Sequence, residues 1–144
     1  MEASMSGGSG GSADRKTAEV REAVDGLVKA YQAADPEIGQ RCVHLPVCEI
    51  IEWKGLANIW HADLDEFRQA VELRKEEPIQ QETVDEAVEW LSDITALVRR
   101  TIRTTLPDGR SFHSPALFVV TPDRSGAFKV AITWWGAFPD WFQG

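Results

Sequence analysis

The chain has 144 residues, with 15 Lys and Arg against 23 Asp and Glu, which gives a formal net charge of −8. Hydrophobic residues make up 43% and charged residues 26%, the balance of one folded globular domain rather than of a disordered chain. The acidic total excludes a nucleic-acid backbone or an anionic membrane surface as main partner, because both require clustered Lys and Arg.

The first 13 residues are rich in Gly and Ser and predict a flexible linker or expression tag, so the single domain is expected over residues 14–144. From Asp14 to Ala34 apolar residues recur at steps of three and four, which predicts a helix. Asp35-Pro36 ends that helix, and Pro36 opens a short second helix through Gln40.

The segment from Val43 to Trp53 predicts a strand near a sheet edge, with Pro46 as the site of a bulge. Lys54-Gly55 is a turn, and Leu56 to His61 is the return strand of a hairpin. No run of about 18 apolar residues occurs here or elsewhere in the chain, so no membrane-spanning segment is predicted.

Asp63 predicts a helix N-cap, with Glu66 completing a capping box, and Pro78 ends the helix. In the segment from Glu82 to Leu91 the apolar residues fit the spacing of a helix and also that of a strand, and we favour a strand. Three further strands, two turns between them and an apolar tail complete the chain: strands 96–106, 111–121 and 127–135, turns 107–110 and 123–126, and tail 138–142.

The two last strands are apolar on both faces. One face packs against the helices, and the other is expected to pair with a second copy, which predicts a homodimer through the outer sheet face. The element order therefore predicts an α+β fold in which a curved antiparallel sheet wraps around three helices.

Five stretches match the motifs of a known superfamily in residue type and in their order along the chain. They are Ala30–Asp35, Val43-His44-Leu45-Pro46, His61–Phe67, Leu106–Arg110 and Gly126–Ile132. Over residues 14–136 the chain resembles the NTF2-like superfamily, which includes ketosteroid isomerases, SnoaL-type polyketide cyclases and scytalone dehydratase. The resemblance implies a cone-shaped α+β barrel around an apolar pocket, and it implies no single reaction.

In ketosteroid isomerase-like members, an acid near the first hairpin abstracts a proton. Here the hairpin offers Glu49 and Glu52, which differ in parity, so only one of them faces inward on a regular strand. Glu49 shares its face with the more apolar set of residues and is the predicted base, while a bulge at Pro46 would reverse the choice. Either glutamate could instead be a solvated strand residue.

Three other side chains are candidates for catalysis. His44 and His113 would form a donor and base pair if both point into the cone, as the likeness to scytalone dehydratase implies. Tyr31 lies on the apolar stripe of the first helix and is a candidate oxyanion donor. Each has a structural alternative: a satisfied histidine, a rim residue or a core aromatic.

Four residues are predicted to line the ligand site. Trp53, Phe118 and Trp134 would pack against a flat apolar or aromatic ligand, although tryptophans could equally fill the core or the dimer face. Arg100 lies on an inward face and requires a carboxylate partner, either Glu49 or Glu86, unless a bulge turns it outward.

The two cysteines fit no metal or disulfide pattern, and the chain carries no phosphate loop or dinucleotide fingerprint. We therefore expect no cofactor or metal, and a location in the reducing cytoplasm. The favoured function is a cofactor-free acid/base enzyme, an isomerase, cyclase or dehydratase that acts on an apolar carbonyl compound. The alternative is a non-catalytic module that binds a hydrophobic ligand or forms a dimer.

Overall fold

The protein is described by a computed structural model that covers residues 4–136 and 138–142, with side chains from residue 13 onward. Two helices precede a hairpin, a third helix follows, and four strands complete the fold. The elements are α1 (Ser4–Ala33), α2 (Pro36–Gln40), β1 (Val43–Trp53), β2 (Leu56–Ala62), α3 (Leu64–Glu72), a 3-10 turn (Leu73–Lys75), β3 (Gln80–Trp90), β4 (Ala96–Thr105), β5 (Ser111–Pro122) and β6 (Phe128–Trp135).

The six strands form one curved sheet in the order β2-β1-β6-β5-β4-β3. All neighbours are antiparallel except β1 and β6, which run parallel, so the expectation of a fully antiparallel sheet is corrected. After α3 the chain enters the sheet at the far edge and returns by three hairpin connections. The last strand therefore reaches β1 in the same direction as β1 itself.

Helix α1 begins at Ser4, ten residues before the predicted start at Asp14, so much of the predicted linker lies within the helix. Adding residues to an existing helix is easier than nucleating one, and no proline interrupts this stretch. The helix ends where Ala34 adopts a φ of 53°. Asp35 then caps α2 by accepting a hydrogen bond from the Glu37 N–H at 3.0 Å.

The predicted capping box at α3 is confirmed. The Asp63 carboxylate accepts from the Glu66 N–H at 2.9 Å, and Glu66 accepts from the Asp63 N–H at 3.0 Å. The helix buries Phe67 and Val71, and Phe67 packs closely over Gly39 of α2. The α-helix ends at Glu72 and the 3-10 turn at Lys75, before the predicted stop at Pro78.

The ambiguous segment that begins at Glu82 is a strand as far as Trp90, as predicted, and lies at the sheet edge as part of β3. Strand β1 is second from the opposite edge, next to β2. Its register against β6 shifts between Val43 and Cys48, which confirms an irregularity around Pro46.

The concave face of the sheet packs against α1 and forms the core with residues such as Val98, Ile102 and Phe118. The opposite face carries apolar side chains that are exposed or half-buried along one row of paired strands. We call this set the outer strip: Ile50, Ile59, Leu117, Ile132 and Trp134.

Candidate functional site

A cavity of about 280 Å³ lies between the helices and the concave face of the sheet. Its walls are mainly apolar, with side chains such as Ile51, Leu73, Trp135 and Phe138. The polar groups in the lining are Tyr31, Glu49, Arg74, Gln81 and Thr104. A mainly apolar pocket with a few converging polar groups is the arrangement expected of a site for a small organic ligand.

Glu49 faces this cavity from β1 and is only 7% exposed. Its carboxylate accepts hydrogen bonds from the Tyr31 hydroxyl at 3.3 Å and from the Trp60 indole N–H at 3.0 Å. Burial raises the pKa of Glu49 above the usual glutamate value, and the two hydrogen bonds offset part of this effect. Glu52 faces outward and accepts from the Trp134 indole N–H at 2.8 Å. Val43, Val47 and Glu49 are all buried, so the irregularity around Pro46 leaves the predicted strand parity unchanged.

The β1–β2 hairpin explains why Trp60 lies beside Glu49. Lys54 and Gly55 form a two-residue turn, and both have positive φ angles, 54° and 74°, as hairpin turns of this length require. The turn places Trp60 directly opposite Glu49 on the same face of the sheet. Trp60 was missed as a site residue, although the turn in the sequence already implies its register.

Tyr31 reaches the cavity from α1, and its ring packs edge-on against Phe67 with centroids 6.4 Å apart. Burial and the neighbouring charge of Glu49 raise the pKa of Tyr31 well above its usual value. The hydroxyl therefore stays protonated at neutral pH and donates to Glu49. In this arrangement it supports the base instead of pointing to a substrate oxygen.

Two further polar side chains face the cavity from the other half of the sheet. Gln81 and Thr104 are paired across β3 and β4, and the Gln81 amide donates to the Thr104 hydroxyl at 3.4 Å. The backbone N–H of Gln81 donates to the Gln32 side chain of α1 at 2.9 Å, which fixes the start of β3 against the helix. Arg74 lines the cavity from the 3-10 turn. The sequence interpretation missed these three lining residues.

The two candidate histidines lie outside the cavity. The His44 ring nitrogen Nε2 is 2.9 Å from the carbonyl oxygen of Thr121, which is a structural contact between β1 and β5. His113 is exposed on the outer face of β5, because its neighbours Phe112 and Ser114 turn inward. The expectation that both histidines point into the cone is corrected.

The predicted ligand-binding residues also lie elsewhere. Phe118 is fully buried in the core, with its ring 5.6 Å from that of Trp135, and Trp134 lies in the outer strip. Trp53 borders a neighbouring cavity of about 410 Å³ and donates to the Pro139 carbonyl at 3.2 Å. The tryptophan that lines the Glu49 cavity from β6 is Trp135, the immediate neighbour of the predicted Trp134.

Arg100 faces inward, as its strand position predicts, and its side chain is 3% exposed. It forms ion pairs at 2.7 Å with Glu86 on β3 and with Asp25 on α1. The choice of Glu86 over Glu49 as partner follows from the strand register, which places Glu86 opposite Arg100. Arg100 therefore joins α1 to the sheet and does not line the ligand cavity.

Comparison with solved structures identifies the fold of the chain. No protein-family model matches the chain, and no curated protein matches it. Solved structures do match. An NTF2-like protein from Cytophaga hutchinsonii is 17% identical, with a TM-score of 0.65 over 83% of this chain and 95% of that chain. The association domain of the Caenorhabditis (C. elegans) kinase CaMKII is 13% identical, with a TM-score of 0.69 over 88% of this chain and 98% of that chain.

A third similar structure is a candidate ketosteroid isomerase from Parabacteroides distasonis, 14% identical, with a TM-score of 0.59 over 76% of this chain and 80% of that chain. The chain therefore has the NTF2-like α+β fold, as the sequence resemblance predicts. At these identities the likeness establishes the fold and leaves the activity open. Among the described residues, no helix is long and apolar enough to cross a membrane.

Proposed function

We propose that the protein binds a small apolar or aromatic carbonyl compound in the Glu49 cavity and moves a proton on it. The observation that carries the proposal is the buried carboxylate of Glu49, held by Tyr31 and Trp60 at one wall of an otherwise apolar cavity. A carboxylate whose pKa is raised by burial is a stronger base than one in water and suits proton abstraction next to a carbonyl.

In the proposed reaction, Glu49 takes a proton from the carbon beside the substrate carbonyl, and negative charge develops on the carbonyl oxygen. The Gln81 amide and the Thr104 hydroxyl are the candidate donors for that oxygen. In a β,γ-unsaturated carbonyl compound, Glu49 returns the proton to the γ-carbon of the resulting dienolate, and the double bond shifts into conjugation with the carbonyl, which completes an isomerisation. Tyr31 and Trp60 hold the carboxylate in place through both steps.

The direct test needs no knowledge of the natural substrate. Phenyl alkyl ketones are incubated with the protein in D₂O, and loss of the α-proton signal is followed by ¹H NMR. We expect faster exchange with the wild-type protein than with buffer, and a loss of about 10²–10⁴-fold in Glu49→Gln, the usual contribution of a positioned base. Glu52→Gln is the matched control, because Glu52 lies on the same strand but faces outward. Equal exchange by the two variants would refute the role of Glu49.

A second function, assembly of copies of this chain, is favoured by the outer strip. Ile59 is 60% exposed, and four other apolar side chains continue the surface across β1, β6 and β5. Such a contiguous apolar face commonly marks a protein interface. The CaMKII association domain, which shares the fold, supports the same direction. We propose a homodimer through this face.

The test of assembly is sedimentation equilibrium. We expect a dimer for the wild-type protein and a monomer for Ile132→Glu, which places a charge in the middle of the strip. Val84→Glu is the control, because Val84 is an exposed apolar residue on β3 at the sheet edge away from the strip. A dimer that survives Ile132→Glu would refute this interface.

A further inference from the structure

Phe142 borders three cavities at once. It lines the Glu49 cavity of about 280 Å³, the Trp53 cavity of about 410 Å³ and a third cavity of about 540 Å³ beside Arg110. Its ring therefore stands where the three spaces approach one another. The Glu49 cavity is slightly smaller than the range of about 300–1,000 Å³ that ligand sites occupy, so a side chain that limits its volume also limits the ligands that fit.

Aromatic contacts hold this ring in place. The Phe142 ring lies 5.0 Å from that of Phe112 at the start of β5 and 5.2 Å from that of Phe138. The backbone N–H of Phe142 donates to the Pro139 carbonyl at 3.0 Å. The adjacent Trp141 packs against the same Phe112 ring, with centroids 5.6 Å apart, and the Arg110 guanidinium lies 4.4 Å from the centre of the Trp141 ring.

The two adjoining cavities differ in chemistry. The Trp53 cavity shares Ile51, Trp60 and Phe138 with the Glu49 cavity and continues its apolar lining. The cavity beside Arg110 is edged by charged residues of both signs, among them Glu76, Glu77 and Arg74. An alkyl chain that leaves the Glu49 cavity therefore has its apolar continuation toward Trp53, past Phe142.

We infer that Phe142 sets the length of the ligand that the Glu49 cavity accepts, so that the wild-type protein selects short carbonyl compounds and excludes long-chain ones. This inference rests on the proposed function, because it takes the ligand to be an apolar carbonyl compound. With the ring removed, the Glu49 and Trp53 cavities join, and a ligand anchored near Glu49 extends its chain into the second space.

The experiment is a series of phenyl alkyl ketones, from acetophenone to decanophenone, titrated by calorimetry into the full chain. For the wild-type protein the affinity rises over the first members and then falls when the chain meets Phe142. For Phe142→Ala the rise continues into the longer members, by roughly fourfold for each added methylene that is buried. Phe142→Leu gives an intermediate limit, and it keeps the test usable if the alanine variant does not fold.

Trp141→Ala is the matched control, because it loosens the same segment but leaves the Phe142 ring, and Trp141 lines the third cavity rather than the Glu49 cavity. An unchanged length limit in this variant, together with a longer limit in Phe142→Ala, supports the inference. The same shift in both variants would overturn it, since displacement of the segment would then explain the change. Wild-type binding with one length limit in all variants would overturn the inference alone, whereas no binding of any ketone would overturn the proposed function as well.

Discussion

Replacing Arg100 by alanine tests the assignment of this residue to the framework instead of the ligand site. Its guanidinium is 3% exposed and is shared between two carboxylates of unequal burial. The Asp25 side chain is 65% exposed, so the ion pair between Asp25 and Arg100 contributes little to stability. The Glu86 side chain is only 19% exposed, so the substitution would remove the partner of a largely buried carboxylate. Loss of one partner of a buried pair destabilises a protein by about 3–5 kcal/mol.

We expect a loss of about 3 kcal/mol, at the low end of that range, because the Arg21 guanidinium still lies 2.6 Å from Glu86 after the change. The free energy of unfolding is measured by urea denaturation. Arg99→Ala is the matched control, because Arg99 is the neighbouring residue on β4 and its side chain is 55% exposed. Its ion pair with Glu89 is long, at 3.8 Å, so we expect the free energy of unfolding to fall by less than about 0.5 kcal/mol. Equal losses in the two variants would show that the buried ion pairs of Arg100 do not stabilise the framework.

Three further predictions concern Glu49, Gly39 and Phe118. Because burial raises the pKa of Glu49 in the folded state, the folded protein retains a proton that the unfolded chain has lost. The free energy of unfolding therefore falls as pH rises from the pKa of Glu49 in the unfolded chain to its pKa in the folded protein, by up to about 1.4 kcal/mol per pH unit. The Glu49→Gln variant lacks this fall. Urea denaturation at a series of pH values measures it, and identical profiles for the wild-type protein and the variant would contradict the raised pKa. In Gly39→Ala the new Cβ would lie 2.7 Å from the Phe67 ring, so we expect the free energy of unfolding to fall by about 1–3 kcal/mol and the Tm to fall with it. An unchanged Tm would show that the structure relieves this contact at no cost. Phe118→Ala empties a fully buried position and should lower the free energy of unfolding in urea by about 3–5 kcal/mol, and a loss below about 1 kcal/mol would place Phe118 outside the core.

Local patterns were sufficient to predict Glu49. Strand alternation in β1 separates Glu49 from Glu52, and the two-residue turn at Lys54-Gly55 fixes which residues of β2 lie opposite. The inward direction of Arg100 follows from the same alternation in β4. These predictions depend on neighbours within a strand or a hairpin, which the sequence displays directly.

The rest of the cavity depends on contacts between distant elements. Gln81 and Thr104 line the same cavity as Glu49 because β6 returns beside β1, and the sequence gives no local signal for that parallel pairing. The apolar tail at 138–142 was visible as a pattern, yet its place against Phe112 follows from the tertiary fold. Strand parity places His113 on the outer face of β5, and a contact with the Thr121 carbonyl holds His44 outside the cavity.

The proposed function requires that Glu49 is a buried carboxyl group with a raised pKa, in a cavity that takes a small carbonyl ligand. The most direct measurement is a ¹³C NMR titration of the Glu49 side-chain carboxyl, assigned with Glu49→Gln, in the absence and presence of acetophenone. We expect a Glu49 pKa above the usual glutamate value and a change in the Glu49 resonance when the ketone binds. Titration of Glu49 in the usual glutamate range, with no response to the ketone, would contradict it.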